Sequence, residues 1–251
     1  MQNKISIIMV CKNSESTIKE SLNSYGLQKY KNKELIIVDG GSIDHTIEII
    51  KKVNFHNYFK SIKDLGLYAS INHAIKKCHG DIVGVLHSDD VYYDNFVLDK
   101  INQKFMEQNS IDYIYSNIVF INQSNKIRRK WVVGNLKPKD IFVGKFPPHT
   151  GIFVKKSTFK YTGMYNENYK ISSDIEYMFK LIKTENLKGV YLPEFTIKMK
   201  LGGLSTRSLK NIFFSNLEGF KALKNLKVGY LNSIKIIVLK VIRKIIQINK
   251  L

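Results

Sequence analysis

A chain of 251 residues carries 40 Lys+Arg against 21 Asp+Glu, a formal net charge of +19, with 44% hydrophobic and 24% charged residues. These fractions are ordinary for a globular protein and exclude a disordered chain, and the length suffices for one large domain with a buried core. Cys11 and Cys78 stand far apart and outside any CxxC spacing, which excludes a disulfide framework and suits a reducing compartment.

The start Met-Gln-Asn-Lys leads into only six apolar residues, 5–10, too short a run for a signal peptide, so a cytoplasmic protein is expected. That run, Ile-Ser-Ile-Ile-Met-Val, has the look of a strand buried on both faces. From Ser14 the period turns helical, with Ile18, Leu22 and Tyr25 on one side. Residues 34–38 form a second buried strand that ends in Asp39-Gly-Gly-Ser42. Ser42 is placed to cap a helix carrying Ile43, Ile47 and Ile50. A third strand is expected over 58–62, a helix over 68–77 that ends at Gly80, and a fourth strand over 82–86 that runs into His87-Ser-Asp-Asp90. Strands alternating with helices of this length predict an α/β, Rossmann-like, mostly parallel sheet with helices on both faces. Ligands of such sheets bind at the carboxyl ends of the strands, where Asp39 and the Asp89/Asp90 pair fall.

The second half is less regular. Strands are expected over 113–121 and 127–133 around a polar turn, and another follows Pro147-Pro-His-Thr-Gly151. Ser172-Ser-Asp174 opens a helix with Ile175, Met178, Phe179 and Ile182 on one side. The run Lys126-Ile-Arg-Arg-Lys130 reads as a solvated hairpin face, with phosphate binding as the alternative. Residues 203–251 hold ten Lys/Arg and a single acid, Glu218, so an anionic partner is expected. The last helix, 231–248, lines up Ile234, Ile237, Val238, Val241, Ile245 and Ile248, interrupted by lysines. Those charges leave it short of the about 20 apolar residues of a spanning helix. It is either an interfacial helix on an anionic membrane or a helix packed on the domain.

An adjacent carboxylate pair at a strand end can hold a hard divalent cation against a diphosphate, and a carboxylate past a central strand can bind a ribose or a uracil N–H. Each also has a plain alternative: Ser88 or Asp89 as the cap of a following helix, Asp39 as a turn residue, Asp174 as an N-cap.

Taken together, three segments resemble the family-2 glycosyltransferases of GT-A fold: Ile5-Ser-Ile-Ile-Met-Val-Cys-Lys-Asn13, Glu34-Leu-Ile-Ile-Val-Asp-Gly-Gly-Ser-Ile-Asp44 and Gly80-Asp-Ile-Val-Gly-Val-Leu-His-Ser-Asp-Asp90. Asp64-Leu-Gly-Leu-Tyr-Ala-Ser-Ile-Asn72 is similar to a segment of the subgroup that builds bacterial exopolysaccharide, O-antigen and colanic-acid-type polymers. The likeness continues through Pro148-His-Thr-Gly151, Gly163-Met-Tyr-Asn-Glu167, Ile171-Ser-Ser-Asp-Ile-Glu-Tyr177 and Gly202-Gly-Leu-Ser205. A GT-A domain over 1–205 and a basic helical extension over 206–251 are therefore expected.

The resemblance implies inverting, metal-dependent, non-processive transfer of one sugar from a nucleotide-sugar, most often a UDP-sugar. The acceptor would be polyprenyl-diphosphate-linked or a saccharide, and the protein would be peripheral on the inner face of the cell membrane. Residue by residue it implies Val10, Cys11, Asn13 and Asp39 at the base and ribose, and Asp64, Asn72, Asp89 and His149 at the donor. Asp90 would be the ligand of Mg²⁺ or Mn²⁺, and Asp174 the catalytic base. Glu176 is the neighbouring rival, two positions along the helix and so pointing elsewhere. The sequence departs from the pattern at Lys12, where an aromatic is common, and at Ala69, where Asp is usual. Trp131 is the only tryptophan, and no Gln-x-x-Arg-Trp motif of processive synthases occurs. A non-catalytic nucleotide-binding homologue is the alternative. Nucleic-acid binding is suggested by charge alone and is not expected, and neither GxGxxG nor a P-loop occurs.

Overall fold

The computed structural model describes residues 2–202 and 209–248. In chain order the first half runs β1 (Ile5–Cys11), α1 (Ile18–Gly26), β2 (Lys33–Asp39), α2 (Thr46–Lys51), β3 (Tyr58–Ser61), α3 (Leu67–Lys77) and β4 (Ile82–Val85). The second half runs β5 (Asp90–Tyr92), α4 (Val97–Glu107), β6 (Tyr113–Ile121), β7 (Ile127–Trp131), β8 (Ile152–Lys155), α5 (Phe159–Thr162), α6 (Ser173–Lys183), β9 (Gly189–Lys200), α7 (Leu209–Asn225) and α8 (Tyr230–Ile248). One sheet has the order β3-β2-β1-β4-β8-β6-β9-β5, with β7 paired to β6. Its first four strands are parallel, and beyond β4 it turns mixed, with β8 antiparallel to both β4 and β6.

The apolar strands split by the period of two. Ile5, Ile7 and Met9 of β1 pack with Ile18, Leu22 and Tyr25 of α1 and with Leu98, Ile101 and Phe105 of α4. Ile8 and Val10 face the other way, toward Ile71, Ala74 and Ile75 of α3. Burying both faces removes several hundred Å² of side chain from water, at roughly 25 cal/mol per Å², which is what fixes the register of the central strands.

The buried Glu34 carboxylate fastens this sheet, accepting from Ser6 Oγ and the backbone N–H groups of His79 and Gly80, and pairing with Lys4 Nζ at 2.7 Å. Gly80 lies past the helix end at Lys77. A Cβ there would stand 2.6 Å from Lys4 O and Ser6 Oγ, so close approach to β1 is what requires glycine.

Three local expectations change. Helix α2 begins at Thr46, whose N–H is capped by Asp44 Oδ1 at 3.0 Å; Ile43 lies outside it, 93% exposed, and Ser42 serves another contact. No helix follows His87-Ser-Asp-Asp90, because β5 starts at Asp90, so neither Ser88 nor Asp89 is a helix cap. The sequence reading places no element over α4 or over the twelve-residue β9, which carries Pro193 and alternates irregularly.

The C-terminal helices are part of the same core. Ala222 and Leu223 of α7 and Ile236 of α8 are fully buried in the cluster that contains α3 and α6. The expected boundary at 205/206 and the Gly203-Leu-Ser205 part of the last motif lie outside the described residues, as do the side chains of Ile245 and Ile248.

Candidate active site

The carboxyl ends of β1 and β2 run side by side in parallel register, Val10 opposite Val38 and Cys11 opposite Asp39. This brings together Val10, Cys11, Asn13 and Asp39. Asp39 is fully buried, and its carboxylate accepts from Gly41 N (3.0 Å), Ser42 N (2.9 Å), Ser61 Oγ (2.6 Å) and Ser42 Oγ. The Cys11 thiol donates to it at 3.6 Å. Burial alone would raise this carboxyl; the hydroxyls of Ser42 and Ser61 and the two backbone N–H groups outweigh it and hold the group below its usual range. These bonds make Asp39 the anchor of the turn at the end of β2. Ser42 Oγ in turn accepts from Asn13 N, and Asn13 Oδ1 accepts from Ile43 N, so these two loops are laced across the strand ends. Val10 and Cys11 are buried strand residues. Asp64 is exposed and lies 3.5 Å from Lys12 Nζ.

Asn72 is buried as well, donates to Tyr165 O and Glu167 Oε1 (2.8 Å each) and accepts from Tyr165 N at 3.0 Å, which ties α3 to the 163–167 segment.

At the end of β4 the turn His87–Asp90 closes with Asp90 N donating to His87 O at 3.1 Å. Asp89 is half-buried and opens to the surface, whereas Asp90 is 1% exposed. Neither Asp90 oxygen has a hydrogen-bond partner among the described residues. Burial, with Asp89 beside it, drives the Asp90 carboxyl well above its usual range. A carboxylate so placed needs a proton or a nearby cation. Of the pair, Asp89 is thus the more exposed carboxylate and Asp90 the buried one behind it. Among the described residues no three His, Cys, Asp or Glu side chains gather as a metal cluster, so a hard cation here would rest on this pair and on ligand oxygens.

From this turn a layer of rings leads across the molecule. His87 lies 5.9 Å from His149, whose Nε2 is 2.6 Å from Tyr165 Oη. Tyr165 stacks on Tyr68 and on Tyr177, at centroid distances of 5.8 and 4.4 Å. Tyr68 Oη donates to Ile171 O at 2.5 Å and lies 3.5 Å from Asp174 Oδ1. Burial, with neighbouring His87, lowers the His149 imidazole to about 3, so it is a neutral ring in this wall. Tyr68 and Tyr165 both lie in motifs of the family resemblance, yet nothing local shows that rings 12 to 97 residues apart will stack.

Asp174 stands in the first turn of α6, half-buried, with Oδ1 accepting from Ile175 N at 2.9 Å. Burial raises its carboxyl despite the opposing charge of Lys240, which α8 brings alongside. The helix N-terminus alone therefore does not set its ionisation, contrary to the simple dipole argument. Glu176 is committed to Lys180 Nζ at 2.6 Å and Asn166 Nδ2 at 3.2 Å. The approach to Asp174 is built from the C-terminal region: Glu218 of α7 accepts the backbone N–H groups of Lys170, Ile171 and Ser172 at 2.8–3.1 Å.

The model of Glycosyl transferase family 2 matches residues 6–186, most of the chain. The chain belongs to that family. An uncharacterized glycosyltransferase of Rickettsia felis is 32% identical over 55% of this chain and 24% of its own length. The poly-beta-1,6-N-acetyl-D-glucosamine synthase of Staphylococcus epidermidis is 27% identical over 70% of this chain and 45% of its own length. The chain thus spans less than half of either relative. The crystal structure of S. aureus TarS 1-349 in complex with UDP-GlcNAc superposes with a TM-score of 0.71 at 18% identity, covering 95% of this chain and 71% of that one. At that identity the likeness shows the fold, and the sheet described above is a GT-A glycosyltransferase sheet. In family-2 terms the turn with Asp89 and Asp90 and the helix start with Asp174 stand at the two ends of one aromatic floor.

Proposed function

We propose that this family-2 protein transfers one sugar from a UDP-sugar to a lipid-linked or saccharide acceptor in surface-polysaccharide synthesis, with inversion at the anomeric carbon. The observation that carries this is the pairing of sites: two adjacent carboxylates at one end of the ring floor and a single raised carboxyl, Asp174, at the other. A donor lying along the floor would direct its diphosphate to Asp89 and Asp90 and its sugar toward Asp174. A general base works best with a pKa moved toward the working pH, and burial moves Asp174 that way. Asp174 would take the proton of the acceptor hydroxyl as it attacks from the face opposite the leaving diphosphate. Mg²⁺ or Mn²⁺ held by Asp89, with Asp90 behind it, would supply positive charge at the leaving diphosphate. The buried, partnerless oxygens of Asp90 are the feature that suits such a cation.

The reading of UDP rather than another nucleotide rests on the family resemblance and on the ligand of TarS. Non-processive transfer rests on the missing Gln-x-x-Arg-Trp motif.

Association with the inner face of a membrane belongs to the same proposal. Among the described residues no helix is long and apolar enough to cross a membrane. Helices α7 and α8 nevertheless expose Phe213 (66%), Leu231 (79%) and Val238 (50%), flanked by exposed Lys221, Lys224 and Lys235. Apolar side chains rimmed by lysine suit a surface of anionic lipid, each lysine adding about 1 kcal/mol near the headgroups.

Calorimetric titration of UDP, GDP and CDP with and without Mn²⁺, on the wild type, Asp89→Asn and Asp90→Asn, tests the donor half. UDP should bind selectively and only with metal, and Asp89→Asn should remove the metal dependence while Asp90→Asn weakens it. Binding that ignores the metal in the wild type overturns the carboxylate assignment. Binding without release of UDP from any UDP-sugar would point to a non-catalytic homologue.

A further inference from the structure

The sequence places Lys126–Lys130 on a solvated hairpin face, yet Arg129, at the centre of β7, is 6% exposed. Its guanidinium lies 3.5 Å from the centroid of Phe120 and 5.6 Å from that of Trp131. Its Nε has no hydrogen-bond partner among the described residues. Helix α8 packs against β7 and against the 3-10 turn Pro138–Val143. The approach is close because Gly144, at φ +69°, offers no side chain: a Cβ would stand 2.5 Å from Lys240 N and 2.8 Å from Ile236 O. Arg243 Nε donates to Val143 O at 3.0 Å and pins the same turn of helix.

So held, α8 brings Lys240 and Lys244, one turn apart and both half-buried, to the seam that contains Arg129. Lys244 feels both other cations as like charges, and among the described residues the opposing charge that acts on Lys240 is that of Asp174. None of the three is within ion-pair distance of a carboxylate among the described residues. Like charges partly withdrawn from water repel and lose hydration together, and an anion between them reverses both costs.

We propose that Lys240, Lys244 and Arg129 form an anion site that takes the phosphate group of a lipid-linked acceptor and so presents the acceptor hydroxyl to Asp174. This rests on the reading of Asp174 as the base. The donor diphosphate is allotted to Asp89 and Asp90 at the far end of the floor, which leaves this seam to the acceptor. The outer face of α8 next to it exposes Val238, Val241 and Ile242, an apolar track for the chain that a lipid phosphate carries. Guanidinium and ammonium groups together suit a phosphate or diphosphate.

The test is calorimetric titration of the full chain, saturated with UDP and Mn²⁺, with geranyl diphosphate, inorganic pyrophosphate and geraniol. The two diphosphates should bind and geraniol should not. Lys240→Gln/Lys244→Gln should weaken geranyl diphosphate by roughly tenfold or more, given the usual size of charge-assisted hydrogen bonds, and leave UDP binding as it was. Arg129→Lys, checked for an unchanged unfolding midpoint, keeps the charge but loses the fork and should weaken it less. Equal geranyl diphosphate binding by the wild type and the double variant overturns the proposal. So does displacement of geranyl diphosphate by UDP, which would make the cations part of the donor site. Loss of binding to phosphatidylglycerol vesicles with geranyl diphosphate binding intact would assign the cations to lipid headgroups, and also overturns it. Failure of UDP to bind the wild type would sink the donor reading alone, since the diphosphate comparison can be repeated without UDP.

Discussion

At the residue scale the proposed chemistry turns on Asp174 and Lys240, neither of which is set by its sequence neighbours alone. Burial raises the Asp174 carboxyl, and the ammonium of Lys240 from α8 lowers it; the backbone N–H of Ile175 donates to its Oδ1, and Tyr68 Oη from α3 lies 3.5 Å from the same atom. Removing the cation takes away the largest influence opposing desolvation, so Lys240→Gln should move the Asp174 pKa further up. Carboxyl ¹³C chemical shifts followed against pH in the wild type and the variant read this directly, and an unchanged or lower value would show that Lys240 does not act on Asp174. Asp39 makes the opposite case. Its place after a central strand is plain from sequence, but the hydroxyls of Ser42 and Ser61 that donate to it come from the turn and from β3, and only the fold brings Ser61 there. Asn72 sits in a quoted motif and is bonded to Tyr165 and Glu167 for the same reason.

At the scale of elements, the strands β1, β2 and β4 are legible because a strand buried on both faces must be apolar throughout, whatever its neighbours. β9 is not, since its edges face β6 on one side and the short β5 on the other and its side chains are unevenly buried. Helix α8 shows how one sequence stripe divides in three dimensions. Ser233 and Ile236 are buried against the domain, as a packed helix requires, while Ile234, Val238 and Val241 remain exposed on the face that the proposed membrane contact would use. The docking hinges on Gly144. Gly144→Ala combines a left-handed backbone with a clash against α8 and should destabilise by at least about 2 kcal/mol in urea unfolding. Gly134→Ala, also at positive φ (+67°) but with only the flexible end of Lys145 as near as 4.0 Å, isolates the backbone strain and should cost about 1 kcal/mol. Equal losses at the two sites would mean that α8 yields freely.

For the whole molecule, charge and exposed apolar surface converge on the C-terminal helices. Flotation with vesicles of phosphatidylglycerol and phosphatidylcholine should carry the protein at low salt and release it progressively as salt rises. Phe213→Ser/Leu231→Ser should abolish flotation while leaving UDP binding intact. A wild type that stays with the soluble fraction at low salt would remove the membrane part of the proposal and leave the transferase part standing. The sequence by itself determined the α/β alternation, the family and the positions of Asp39, Asp89, Asp90 and Asp174, because hydrophobic period and strand-end motifs are local along the chain. Tertiary structure decided which carboxylates are open and which are sealed, that a layer of aromatic rings runs from the Asp89–Asp90 turn to Asp174, and that a C-terminal helix brings Lys240 alongside Asp174. Burial and electrostatic neighbours depend on residues distant in sequence, as Arg129 and Lys240 are from each other and from Asp174, and no local pattern encodes such a meeting.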